Sequence, residues 1–255
     1  MMTPATSPLP IDLDTTIAQA RRATRAALEA GQTLIQVELL VGELKAQTIA
    51  EQFLPELLDT GKTLRVMFPD MGATALARRD WGEEQFKISD LGSPRRPVET
   101  QIHEDDECFL VVEPSDVEIA QVEKLYIAAE GRPVVMLLPR LESVATIGIG
   151  YAGRQLRDRF LSKIETCYYI RPLDGAVLYR AYPSLWQVWG DAPPPVLGEV
   201  LLAETPTKPA GEALDRILMG EDEDSADRES PNAERPKKSP GLMAGLQNFL
   251  KALSQ

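Results

Sequence analysis

Gly148-Ile-Gly150-Tyr-Ala-Gly153-Arg154 has the spacing G-x-G-x-x-G and opens a predicted helix. Free backbone N–H groups and the helix dipole favour an anion at such a terminus. Arg154, Arg157 and Arg159 add positive charge there, and Arg140 follows the preceding predicted strand. If the intervening loop folds over the helix start, Arg140, Arg154 and Arg157 form a clamp for a phosphate or carboxylate at the carboxyl ends of the strands. A dinucleotide fingerprint is disfavoured, because these glycines lie well downstream of Leu138 rather than in the turn after a first strand. The Lys-Ser/Thr ending of a P-loop is missing as well. In the competing reading the glycines serve packing or turns, and the arginines solvate a helix face and pair with carboxylates.

Asp70, Glu113, Asp116 and Asp174 fall at predicted strand ends or turns, where general bases and metal ligands often sit. Asp116 and Asp174 are equally explained as a helix cap and a turn residue. The single histidine, His103, precedes the acidic run Glu104-Asp-Asp-Glu107 and has no nucleophile paired with it in sequence. Cys108 and Cys167 each lie in an apolar run and are expected to be buried. Two thiols cannot make a four-cysteine zinc site or a disulfide framework. No catalytic residue, metal or cofactor is assigned on these grounds.

Two further groups point to contact rather than catalysis. Tyr168, Tyr169, Tyr179, Tyr182, Trp186 and Trp189 concentrate in one region of short predicted strands. Trp186 and Trp189 cannot share one side of a regular strand, so one of them is expected at the surface as a partner-binding residue. At the far end, Leu242, Leu246, Phe249, Leu250 and Leu253 follow helical spacing within Gly241–Gln255. A helix of that length is about 22 Å long, too short to cross a bilayer. An acidic, Pro- and Ser-containing linker over 220–240 tethers it, and the segment is expected to be unfolded until it docks. A partner groove, a membrane surface and its own domain are all open as that docking site.

The elements that must position these residues alternate. Helices are predicted over 12–30, 46–58, 71–81, 116–130 and 153–164, the fourth with Ser115 or Asp116 as its cap, and a last one over 211–219. Strands are predicted over 33–40, 63–68, 86–91, 108–112 and 134–138, then 167–170, 176–182 and 185–189. Pro193-Pro-Pro195 is read as an extended bridge. This pattern predicts one α/β domain over 9–219: a three-layer, Rossmann-like, mostly parallel sheet with an antiparallel aromatic-rich edge. The 255 residues are 44% hydrophobic, enough for a substantial core, and carry a formal charge of −12. That charge disfavours nucleic-acid partners. Residues 1–10 have neither a charged leader nor an apolar stretch, so no signal peptide is expected and the cytoplasm is the expected compartment.

The segments Val134-Val-Met-Leu-Leu-Pro-Arg-Leu141, Gly148 to Leu161, Cys167-Tyr-Tyr-Ile-Arg-Pro-Leu173 and Ala181-Tyr-Pro-Ser-Leu-Trp-Gln-Val-Trp189 carry, in this order, a family resemblance. The chain resembles the uncharacterised cyanobacterial and chloroplast domain found in plant low photosystem II accumulation type proteins. The same domain forms the C-terminal part of a chloroplast adenylate kinase. The resemblance spans roughly residues 8–190. It implies a non-catalytic auxiliary role in photosystem II assembly or thylakoid protein biogenesis, with a photosystem or thylakoid membrane protein as partner. Peripheral contact with the cytosolic face of the thylakoid, through 241–255, is part of that expectation. A phosphate- or nucleotide-binding enzyme or sensor built on Gly148–Arg157 is the alternative.

Overall fold

In the computed structural model, residues 8–93, 95–141, 151–192 and 198–220 are described. The linker and terminal helix expected over 220–255 lie outside this set beyond Gly220, as do Gly148 and Gly150.

Asp12 opens the first helix, α1 (Leu13–Glu29), with a capping box: its carboxylate accepts from the Thr15 N–H at 2.8 Å, and the Thr15 hydroxyl is reached by the Asp12 N–H. Ile17, Ala20, Ala23, Thr24 and Ala27 form the stripe it buries. The chain continues through β1 (Leu34–Leu39), α2 (Ala46–Leu58), β2 (Leu64–Phe68), α3 (Met71–Trp81) and β3 (Lys87–Asp90). After a short 3-10 turn come β4 (Cys108–Val112), α4 (Ile119–Ala128), β5 (Val134–Leu137) and α5 (Tyr151–Arg159). Four strands follow, β6 (Glu165–Leu173), β7 (Ala176–Ala181), β8 (Trp186–Asp191) and β9 (Glu199–Thr205), then α6 (Glu212–Met219).

All nine strands join one sheet in the order β3-β2-β4-β5-β1-β6-β7-β8-β9. The first six are parallel and the last three run antiparallel to their neighbours. The central strands alternate between two cores. Cys108, Leu110, Val112, Val135 and Leu137 face α1, α2 and α3, whereas Phe109, Val111, Val134 and Met136 face α4 and the Phe160 side of α5. Burial on both faces explains why β4 and β5 read as unbroken apolar runs. Over the antiparallel part, Leu214 and Ile217 of α6 pack on Tyr169, Leu178, Trp186 and Val188.

The two edges of the sheet are finished differently. On β3, the Ile88 N–H donates to the Glu83 carboxylate at 2.9 Å and the Ile88 carbonyl accepts from the Arg78 guanidinium. Side chains thus take up hydrogen-bonding groups that an edge strand otherwise offers to another chain. On β9, Val200, Leu201 and Leu202 are 37%, 38% and 42% exposed, and no described strand lies outside it.

Three expectations need correction. β9 occupies part of the stretch between the proline run and the last helix, where no strand was predicted. The fourth helix starts at Ile119, and neither Ser115 nor Asp116 caps it: the Ser115 N–H and hydroxyl instead donate to the Glu118 carboxylate at 3.0 and 2.6 Å. Ser115 is held back by a parallel bridge to Arg140. The helix expected over 153–164 ends at Arg159 and yields to a 3-10 turn, so β6 begins at Glu165, two residues before the predicted strand.

Candidate functional site

β2 and β1 lead into α3 and α2 on one face, while β4 and β5 lead into α4 and α5 on the other. The connections therefore diverge twice, between β2 and β4 and between β5 and β1. Crevices are expected outside the carboxyl ends of the strands at such points. Both are present. One of about 820 Å³ is floored by Leu39, Leu138 and Pro139 and walled by Glu38, Glu43 and Arg140. The other, about 540 Å³, lies between the start of α2 and α3, with Lys45, Asp70, Asp80 and Trp81 in its wall. Glu113 lines both.

Glu113 and Leu138 are the residues that follow β4 and β5, and both have left-handed backbones, with φ of 52° and 54°. Non-glycine residues rarely adopt this region, and surrounding structure must hold them there. Here the sheet does so. The Glu113 N–H donates to the Leu137 carbonyl at 2.7 Å, the Leu138 N–H to Val37 at 2.9 Å, and the Arg140 N–H to Pro114 at 2.8 Å. The turns so formed bring the Glu113 carboxylate onto the Arg140 guanidinium.

Across the two crevices six carboxylates (Glu38, Glu43, Glu51, Asp70, Asp80 and Glu113) stand against two cations, Lys45 and Arg140. The N-terminus of α3 offers no anion site there, because the Asp70 carboxylate already accepts from the N–H groups of Gly72 and Ala73 at 2.7 and 2.9 Å. Trp81 closes one end, its ring 5.7 Å from Phe68 and 6.3 Å from Phe86. Asp80 is also paired with Arg79 beside the crevice, and the charge that remains around the two crevices is negative, which disfavours a phosphate there.

The loop expected to bring Arg140, Arg154 and Arg157 together, 142–150, lies outside the described residues. Arg140 engages Glu113 at the crevice, and Arg159 pairs with Glu123 of α4 at 2.5 and 2.8 Å. Gly153 and Arg154 fall in the first turn of α5, and Arg157 one turn further along. Asp116 sits in the turn before α4, and Asp174 in the β6–β7 turn beside Gly175, whose φ is 82°. His103 lies before β4, at the opposite end of the sheet from the crevices, where its N–H donates to Asp106 at 2.7 Å. Burial pushes the Cys108 and Cys167 thiols up to about 11 and about 12, so neither is a nucleophile at neutral pH. Among the described residues no group of three or more His, Cys, Asp or Glu side chains could hold a metal ion.

The expected tryptophan surface is not formed. Trp186 and Trp189 are 4% and 3% exposed. They do face opposite sides, but both sides are covered: Trp189 joins the core beneath α1, and Trp186 packs under α6 with its ring 5.1 Å from Tyr169. The Lys208 ammonium seals this pair, 3.9 Å from the Tyr169 ring centre. Large apolar side chains are exposed at Ile11, Met71, Val117 and Ile127, at Leu185 beside Trp186, and on β9 and at Leu218 and Met219 of α6. Of the tail residues, Leu242, Leu246, Phe249, Leu250 and Leu253 lie outside the described set.

No helix among the described residues is long and apolar enough to cross a membrane. No curated protein matches the chain at a significant level. Residues 10–216, from the approach to α1 into α6, match the family described as a domain of unknown function, DUF1995. A match over that span, which takes in both crevices and the whole sheet, makes the chain a member of the DUF1995 family.

Proposed function

We propose that this protein is a non-catalytic auxiliary factor that binds other proteins during photosystem II assembly or thylakoid protein biogenesis. Its contact is made at the carboxyl edge of the sheet, with a basic segment of the client. The observation that carries this contact is the excess of carboxylates around crevices built on the strained Glu113 and Leu138. Strain of this kind persists where a fixed local shape is needed. The photosynthetic setting rests on the family resemblance of residues 8–190 to low photosystem II accumulation type proteins. The protein works at the cytosolic face of the thylakoid, with 241–255 as an additional docking element. Recovery of photosystem subunits with the tagged full chain from a native thylakoid extract tests the reading. Glu43→Lys with Glu51→Lys should abolish that recovery, and recovery equal to wild type removes the crevices from the proposal. Deleting 221–255 tests the docking element in the same assay.

A second reading places an anion at α5, whose first turn holds Gly153 and Arg154. A panel of nucleotides and sugar phosphates in a thermal-shift assay tests it, since a ligand of the native state raises the midpoint. The response must disappear in Arg154→Ala.

A further inference from the structure

The larger crevice is joined through the core to the last helix. Leu40, in its wall, packs on the buried cluster of Tyr169, Trp186 and Val188, and α6 covers the same cluster through Leu214 and Ile217. α6 has eight residues and is about 12 Å long, so the chain beyond Gly220 leaves the domain on the flank that ends in the crevice. That continuation has a definite charge order. Residues 221–234 hold seven carboxylates against one arginine. From Arg235 to Gln255 there are four cations, Arg235, Lys237, Lys238 and Lys251, and no Asp or Glu, which makes this the longest stretch of the sequence without an acidic side chain.

Arg235-Pro-Lys-Lys238 complements the crevice in charge and in shape. The crevice, about 820 Å³, carries Glu38, Glu43 and Glu113 around a floor of Leu39, Leu138 and Pro139. Arg140 pairs with Glu113, and Gln36 donates to Glu38 at 2.9 Å. Glu43 is exposed and makes no hydrogen bond or ion pair among the described residues. Lysine and arginine lay their stems on apolar surface and keep their charged heads in polar surroundings, which this floor and the carboxylates above it provide together. The fourteen residues between Gly220 and Arg235 span up to about 50 Å, so the segment reaches the crevice from α6.

We infer that Arg235–Lys238 of this chain docks in the crevice of Glu38, Glu43 and Arg140 and holds the place of a client's basic segment. The inference rests on the reading of the crevices as the contact for such a segment. Docking in this way is regulatory, because a client enters only by displacing the segment, and residues 241–255 are released with it. A tethered competitor at an effective concentration on the order of 1 mM, with a Kd of about 0.1 mM, weakens the apparent affinity of a client about tenfold.

A fluorescein-labelled peptide with the sequence of residues 235–246, added to the full chain and followed by anisotropy, tests the inference. The peptide should bind the triple variant Arg235→Gln, Lys237→Gln, Lys238→Gln about tenfold more tightly than wild type. Adding Glu43→Lys to that variant should remove the gain, and circular dichroism establishes that each variant is folded. A carbodiimide, which couples an amine to a carboxylate in contact with it, should join Lys237 or Lys238 of the wild-type chain to Glu38 or Glu43. In a mixture of isotope-labelled and unlabelled chains, these cross-links should stay within one chain. Equal peptide binding to wild type and the triple variant overturns the inference and leaves the client reading standing, whereas no binding to either overturns both. A gain that survives Glu43→Lys, or cross-links from Lys237 and Lys238 confined to 221–234, also overturns the inference.

Discussion

The guanidinium of Arg65 on β2 and the carboxylate of Asp106 in the loop before β4 form an ion pair at 2.5 Å, with side chains only 7% and 0% exposed. Asp106 also accepts from the His103 N–H at 2.7 Å, and Arg132 donates to the carbonyls of His103 and Asp106. Removing one member of such a pair leaves an uncompensated buried charge, at a cost of about 3–5 kcal/mol. Asp106→Ala should lower the unfolding free energy by that amount in a urea titration. Replacing both residues with leucine should recover part of the loss, because neither charge is then buried.

At Glu113, glycine removes the left-handed strain at the cost of an exposed ion pair with Arg140, which is worth little. Glu113→Gly should therefore be neutral or stabilising by up to about 1 kcal/mol. Glu113→Val should be clearly destabilising, because a branched side chain resists that backbone conformation. Denaturant midpoints of the two variants, compared with wild type, decide the point.

The thiols of Cys108 and Cys167 have an ordinary value of 9.0 and are pushed by burial to about 11 and about 12 in the folded chain. The buried phenols of Tyr168 and Tyr179 are also raised, Tyr179 to about 12. Folded values above the unfolded ones mean that the native state binds more protons in alkali. Their contribution to stability is full below about pH 9 and is lost progressively as pH rises towards 11 to 12. Unfolding free energy should thus fall steeply above pH 9, and a thiol reagent at pH 8 should label the cysteines only after denaturation.

Lys208 holds the segment before α6 onto the Tyr169 and Trp186 rings, 3.9 and 5.6 Å from their centres. Lys208→Ala should cost about 0.5–2 kcal/mol and let water reach Trp186. A red shift in tryptophan emission, without a change in secondary structure by circular dichroism, is the expected signature. An unchanged spectrum would show that Leu214 and Ile217 alone keep α6 in place.

Much of the architecture was legible from local chemistry. The helical spacing of Leu13, Ile17, Ala20 and Ala27 announces α1, and the apolar runs Cys108–Val112 and Val134–Leu137 announce strands covered on both faces, whereas the caps at Asp12 and Asp70 emerge only in the structure. β9 was not legible, because the bulge at Leu202 breaks the alternation by which a half-exposed strand is recognised. The burial of Trp186 depends on α6 and Lys208, which come much later in the chain and meet it only through the fold. Asp70, Glu113 and Arg140 were identified as strand-end residues. Their gathering into adjoining crevices follows from sheet order, with β4 and β5 inserted between β1 and β2, and sequence spacing does not encode that order. The left-handed backbones of Glu113 and Leu138 carry no residue-type signal at all, since neither is glycine or asparagine.

The side chains of Glu83 and Arg78 on Ile88 set a limit on growth. A sheet that offers strands on both sides can recruit copies without end and become a filament. Here the two outward backbone groups of Ile88 are already taken, so a strand added at the β3 edge would have to displace Glu83 and Arg78 to form its central hydrogen bonds.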